Sequence, residues 1–267
     1  MGNTEILDGK RAVIFGAGGS IGAAVAREFA AEGAEVFLSG RTASGVEQVA
    51  KAISAAGGKA RAAAIDALDA TAVDNYVSEL AQAGPIDIVF NASGPDPREY
   101  GNGKNTVDLS VDEFMLPLTT LVKSSFITAR AAARHMVKQH SGVILFLTGS
   151  PARGHVEGAT SIGTAFGAIE TLTENLAFQI SPAGVRVVCL RTTANVDSGA
   201  IYQTVELLSA RMKVPKDQIV AQIANLNFLR VPAKVSDTAN AAAFLVSDRA
   251  RMFTGTVVNS SAGAALD

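Results

Sequence analysis

The residues best placed to do chemistry lie near the start of the chain, in the run Gly16-Ala17-Gly18-Gly19-Ser20-Ile21-Gly22. The run follows a short apolar stretch and opens an alanine-rich one. At a strand-to-helix junction this composition suits a pyrophosphate. The helix start offers unpaired N–H groups and the positive end of its dipole. Glycines remove the Cβ atoms that would block close approach. The alternative is a tight turn that needs glycine for geometry alone. A second apolar run ends at Gly40 and is followed by Arg41 and Thr42. A carboxylate there would take a ribose 2′-OH. Arg41 instead offers a planar donor fork suited to a 2′-phosphate.

Other reactive types are sparse. Cys189, the single cysteine, sits in an apolar run and reads as a small buried residue without a disulfide partner. His135 and His140 are spaced poorly for a shared metal, and no Cys, His or carboxylate cluster has metal-ligand spacing, so no metal site is expected. Ser150 lies in no nucleophile-elbow pattern.

The elements that must position these residues follow from an alternation of apolar runs and helix-length stretches. Strands are expected at 11–16, 34–40, 59–65, 85–91, 142–148, 184–190 and 255–259. Helices are expected at 20–32, 43–56, 70–83, 111–139, 160–181 and 236–248. Near-continuous apolar strands imply a sheet covered on both faces, and the alternation implies parallel crossovers. The expected fold is therefore α/β, a doubly wound, mostly parallel seven-stranded sheet in a single domain, 1–267. A flap-like helical insertion at about 192–230 carries helical patterns at 199–212 and 216–227, on either side of Pro215. A formal net charge of −2 and the lack of basic runs argue against nucleic acid or a membrane surface. No run has signal-peptide or membrane-spanning length, so a cytoplasmic protein is expected.

These motifs resemble those of the short-chain dehydrogenase/reductase superfamily, whose glycine pattern is T-G-x-x-x-G-x-G. Gly16, Ile21 and Gly22 match, while Phe15 replaces the threonine and Ser20 the middle glycine. Asn91-Ala92-Ser93-Gly94 is similar to the segment that the family places under the adenosine end of its cofactor. Asp66 ends the third strand, where the family has an acid near the adenine amino group; a helix N-terminal role is the alternative. The stretch from Ala243 to Asp248 and on through Thr254-Gly255 is also family-like. The resemblance covers nearly the whole chain. It implies a Rossmann-type fold, a small-molecule substrate and pairing into a homodimer or homotetramer through the helices of 111–139 and 160–181. With Arg41, it implies NADP(H) rather than NAD(H).

The resemblance fails at the catalytic positions. Ordinary members use an Asn, a Ser, a Tyr and a Lys, with the tyrosine as general acid/base and the lysine lowering its pKa. Here Leu121, Gly149, Ile162 and Phe166 occupy those positions. No tyrosine occurs between Tyr100 and Tyr202 and no lysine between Lys138 and Lys213, so no local shift of the alignment restores the pair. This pattern resembles an atypical group of family members that lack both residues. Ser150, one residue beyond the serine position, and His155, on the following loop and titrating near neutral pH, are the candidates for a replacement proton donor. Three functions stay open: an oxidoreductase with altered catalytic residues, a non-catalytic NADP(H)-binding protein acting as a sensor or assembly subunit, or a protein that keeps only the fold and binds some other ligand in an apolar pocket lined by Leu121, Ile162 and Phe166.

Overall fold

Alternate residues of each strand are apolar toward opposite faces, so the sheet acquires helices on both sides. The computed structural model describes residues 5–154 and 156–267; His155 lies outside them. Seven strands form one sheet: β1 (Arg11–Phe15), β2 (Glu35–Gly40), β3 (Lys59–Ala64), β4 (Ile88–Asn91), β5 (Gly142–Gly149), β6 (Val185–Thr192) and β7 (Thr256–Ser260). Their order is β3-β2-β1-β4-β5-β6-β7. Every pairing is parallel, so "mostly parallel" sharpens to wholly parallel.

On one face Ala12, Ile14, Leu38 and Phe90 pack against α1 (Ser20–Ala31), α2 (Ala43–Ala55) and α9 (Val235–Val246). On the other, Val13, Phe15, Val89 and Phe146 pack against α3 (Ala70–Gln82), α5 (Lys123–Gln139) and α6 (Thr160–Ile180). Each such side chain stabilises the fold by about 1.5–3 kcal/mol. The insertion is built differently. β6 runs on through Thr192, and α7 (Gly199–Met212) and α8 (Lys216–Asn225) follow, with Pro215 capping the latter. α7 buries Val205, and α8 buries Ile219 and Ala224.

One expected helix is interrupted. The stretch 111–139 divides into α4 (Val111–Pro117), a π-helical turn at Leu118–Val122, and α5. The Thr119 and Thr120 hydroxyls donate back to the Leu116 carbonyl, Thr120 at 2.7 Å. Pro117 has no N–H to give the ladder and marks the break. The π turn carries Leu121.

Candidate functional site

β1 is the switch point of the sheet, with β2 on one side and β4 on the other. Ligands of open parallel sheets bind outside the strand C-termini at such a point. There the glycines divide into two kinds. Gly16 has φ +72°, and a Cβ on it would fall 2.6 Å from the Ser93 nitrogen; one on Gly22 would fall 2.4 Å from the Gly16 oxygen. Both are required by the close meeting of β1, α1 and the segment after β4. Gly18 and Gly19 meet nothing nearer than 3.4 Å and border an open cleft of about 390 Å³. Gly19 caps α1 without a side-chain hydrogen bond. The first helical bond runs from Ala23 N to Gly19 O at 2.8 Å. The N–H groups of Ser20, Ile21 and Gly22 are thus left to water or an anion. This turn fits a diphosphate.

Arg41, Asp66, Ala92, Ser93 and Gly94 line the same cleft. Arg41 is exposed at its rim. Asp66 accepts the Leu68 N–H at 3.0 Å, and the N-cap of α3 is Asp69, which takes the N–H groups of Thr71 and Ala72. Asp66 is therefore a turn residue on the cleft wall rather than a cap. Asn91 is buried beneath it. Its oxygen accepts the Ser93 N–H at 3.0 Å and its amide donates to the Ser124 hydroxyl at 2.9 Å. Asn91 thereby fixes the floor that Ser93 and Gly94 form, and the cleft is lined by Ser124 as well. Ser20 faces elsewhere: its hydroxyl accepts the Gly199 N–H at 2.9 Å and joins the phosphate turn to the start of α7. Two further bonds hold α7 down, Asn102 to Thr204 at 2.9 Å and Gln203 to Asp96 at 3.4 Å.

Beyond β4 the character changes. Gly149 ends β5, and a Cβ there would lie 3.0 Å from Cε2 of Phe166. Gly149 and Phe166 therefore fit each other closely. Similarly, a Cβ on Gly94 would lie 3.3 Å from Cδ2 of Leu121. Ile162 and Phe166 are half-buried on the first turns of α6. Ser150 is buried at the start of a 3₁₀ turn, and its carbonyl accepts the N–H groups of Arg153 and Gly154. Tyr100 lies beneath the same edge, its carbonyl within 3.5 Å of the Ser161 hydroxyl. Burial, and secondarily the Asp96 charge, push its phenol well above the usual tyrosine range. It stays a neutral donor and supplies no phenolate near pH 7.

Under this apolar edge runs a charged network that the sequence did not announce. Glu170 on α6 and Arg191 on β6 are each 1% exposed. They form a two-pronged pair, Nε to Oε1 at 2.7 Å and Nη2 to Oε2 at 2.9 Å. Thr148 and Arg153 also donate to Glu170, and Arg191 donates onward to Asp267. Burial opposes the arginine charge, but hydrogen bonds to Glu170 and Asp267 outweigh it and hold its pKa above the ordinary value. The Arg191 bond also keeps the Asp267 carboxyl below its usual range. Cys189 beneath is pushed up to about 12 by burial, so it is an inert thiol. The available signal was Arg191 itself, a charge directly after the apolar run Val187–Leu190 of β6.

No helix among the described residues is long and apolar enough to cross a membrane.

The fold and the phosphate turn define a doubly wound protein of the Rossmann type. Residues 16–265 match the family described as enoyl-(acyl carrier protein) reductase. The chain is 30% identical over 261 residues to the 7alpha-hydroxysteroid dehydrogenase of Escherichia coli K12, covering 96% of this chain and 94% of that one. It therefore belongs to the short-chain dehydrogenase/reductase superfamily of oxidoreductases. Among solved structures it is similar to a provisionally designated NAD(P)-dependent gluconate 5-dehydrogenase from Beutenbergia cavernae with bound NADP. The TM-score is 0.84 at 26% identity, over 98% of this chain and 99% of that one. A xylitol dehydrogenase with bound NAD+ gives a TM-score of 0.87 at 25% identity, over 96% and 99%.

Proposed function

We propose that this chain is an NADP(H)-dependent oxidoreductase that acts on a small molecule without the usual Asn-Ser-Tyr-Lys set. The observation that carries the reading is the cleft itself. An uncapped helix start, two glycines open to solvent and the exposed guanidinium of Arg41 meet along one wall. Gly18, Gly19 and the first turn of α1 would hold the diphosphate, and Arg41 the 2′-phosphate. Asp66, Ala92, Ser93 and Gly94 would enclose the adenosine. Bound there, the nicotinamide ring supplies hydride chemistry of its own. The chain's part is to bind, orient and exclude water.

The missing tyrosine and lysine restrict the substrate. A simple carbonyl needs a proton from a tuned acid as the hydride arrives. Activated alkenes and imines can take theirs from water, from their own groups or from Ser150. A non-catalytic NADP(H)-binding role is the second reading, favoured by the close fit of Phe166 on Gly149, which leaves that edge apolar. Pairing of the chain with its own copies is supported by Phe126 on α5 and by Phe178 on α6, the latter 86% exposed. A cytoplasmic setting remains part of the proposal.

Titration of NADPH fluorescence tests the first step, and no binding below millimolar concentration ends both readings. Arg41→Ala is expected to weaken NADPH about ten- to a hundredfold, from the roughly 1.5–3 kcal/mol of a charge-assisted hydrogen bond, and to leave NADH within about twofold. Equal losses would refute the 2′-phosphate contact. A panel of carbonyls, imines and enones, followed by NADPH absorbance, then separates enzyme from binder. Silence across the panel with cofactor bound favours the binder.

A further inference from the structure

The cleft stops at β4. Its walls come from the β1–α1 turn, the ends of β2, β3 and β4, and the π turn before α5. All of these strands belong to the β3-β2-β1-β4 half of the sheet. The β5–β6 half offers the Phe166 ring over Gly149, with Ile162 one turn earlier on the same helix, while of its hydroxyls Ser150 and Thr192 are buried, Thr192 bonded to Thr238 at 2.8 Å, and Thr193 is half-buried. A ribose and carboxamide laid over that edge exchange hydrogen bonds to water for contact with hydrocarbon. Polar groups desolvated without partners gain little or lose. The diphosphate and 2′-phosphate, by contrast, meet a helix start and a guanidinium, where charge-assisted bonds are strong.

We infer that this site recognises its ligand through the phosphorylated adenosine end alone. The ligand class is the adenosine 2′-phosphate 5′-diphosphates, and the nicotinamide riboside end adds little to affinity. This rests on the cofactor reading above and goes further in saying where the binding energy lies. It also separates binding from reaction. The dinucleotide is held firmly at one end while the other samples more than one placement over the apolar edge. Affinity then predicts nothing about turnover.

The test is isothermal titration calorimetry on the full chain with 2′-phospho-ADP against NADPH and, in parallel, ADP against NADH, judged on the tighter pair. The expected result is a nucleotide fragment that binds within tenfold of its dinucleotide, with Arg41→Ala weakening 2′-phospho-ADP and NADPH by the same factor. A dinucleotide more than tenfold tighter overturns the inference and leaves the cofactor reading standing. An Arg41→Ala loss confined to NADPH also overturns it. If none of the four ligands binds, the cofactor reading falls and the inference falls with it. Phe166→Lys gives a second measure. Adding an ammonium there is expected to tighten NADPH severalfold with no change for 2′-phospho-ADP, and equal tightening of both overturns the inference.

Discussion

The two halves of the sheet's carboxyl edge come from one fold and yet have diverged. Around β1 and β4 the backbone approaches itself closely and leaves a cleft edged by Gly18 and Gly19. Around β5 and β6 a side chain fills the space, Phe166 against Gly149. The first half is specified by backbone, through glycine and N–H groups. The second is specified by side chains, and its replacements are mutually adjusted. Anion recognition at a helix start depends on little besides local geometry, whereas proton transfer depends on particular side chains within bonding reach. On the proposed function, a change in the second therefore leaves the first intact.

The largest test of this contrast lies below the apolar half. Glu170→Ala would leave Arg191 buried with Asp267 as its remaining carboxylate. Removing one partner of a buried pair costs about 3–5 kcal/mol, so urea unfolding should show a loss in that range. A loss below about 1 kcal/mol would mean that the network does not support the β5–β6 edge.

In the other half, Gly16→Ala should cost about 2–4 kcal/mol, because a Cβ at φ +72° lies 2.6 Å from the Ser93 nitrogen. Gly18→Ala has room, so its stability should stay within about 0.5 kcal/mol while calorimetry shows NADPH binding weakened. If Gly18→Ala unfolds the chain or leaves binding untouched, the division between structural and ligand-facing glycines is wrong.

The fit of Phe166 on Gly149 predicts a coupling of smaller size. Gly149→Ser should destabilise the chain by about 1 kcal/mol, since Phe166 must give way. In a Phe166→Ala background that cost should vanish, for a coupling above about 0.5 kcal/mol in thermal unfolding. Additive losses would show the two replacements to be independent.

The smallest expected effect concerns pH. The Asp267 carboxyl is held below its unfolded value by Arg191, so its contribution is full above that ordinary value, near 4. It fades as pH falls through the lower folded value. Asp267 is largely exposed, and the contribution is correspondingly modest. Wild type and Asp267→Asn should differ in melting temperature at pH 7, and the gap should narrow as the pH falls below the ordinary carboxylate range. A constant gap would assign the effect to something other than charge.

Much of this was legible in the chain. The alternation of apolar runs gave all seven strands to within a few residues, and α7 was expected at 199–212, where it lies. The largest displacement was β4, expected from residue 85 and found to begin at Ile88. The glycine run was placed correctly between β1 and α1. The break at Leu118–Val122 was not foreseen, although Pro117 was its local mark. The role of Ser20 was also hidden, because its partner Gly199 is 179 residues away.

The sequence by itself determined the order of elements and the place of the glycine turn between β1 and α1. These depend on periodicity and local residue type, which can be read in a line. Only the tertiary structure decided which glycines hold the fold and which face the cleft, that Gly149 and Phe166 are one adjustment, and that Glu170, Arg191 and Asp267 share a buried network. Each of these is a distance between residues far apart in the chain, and such distances are set by packing.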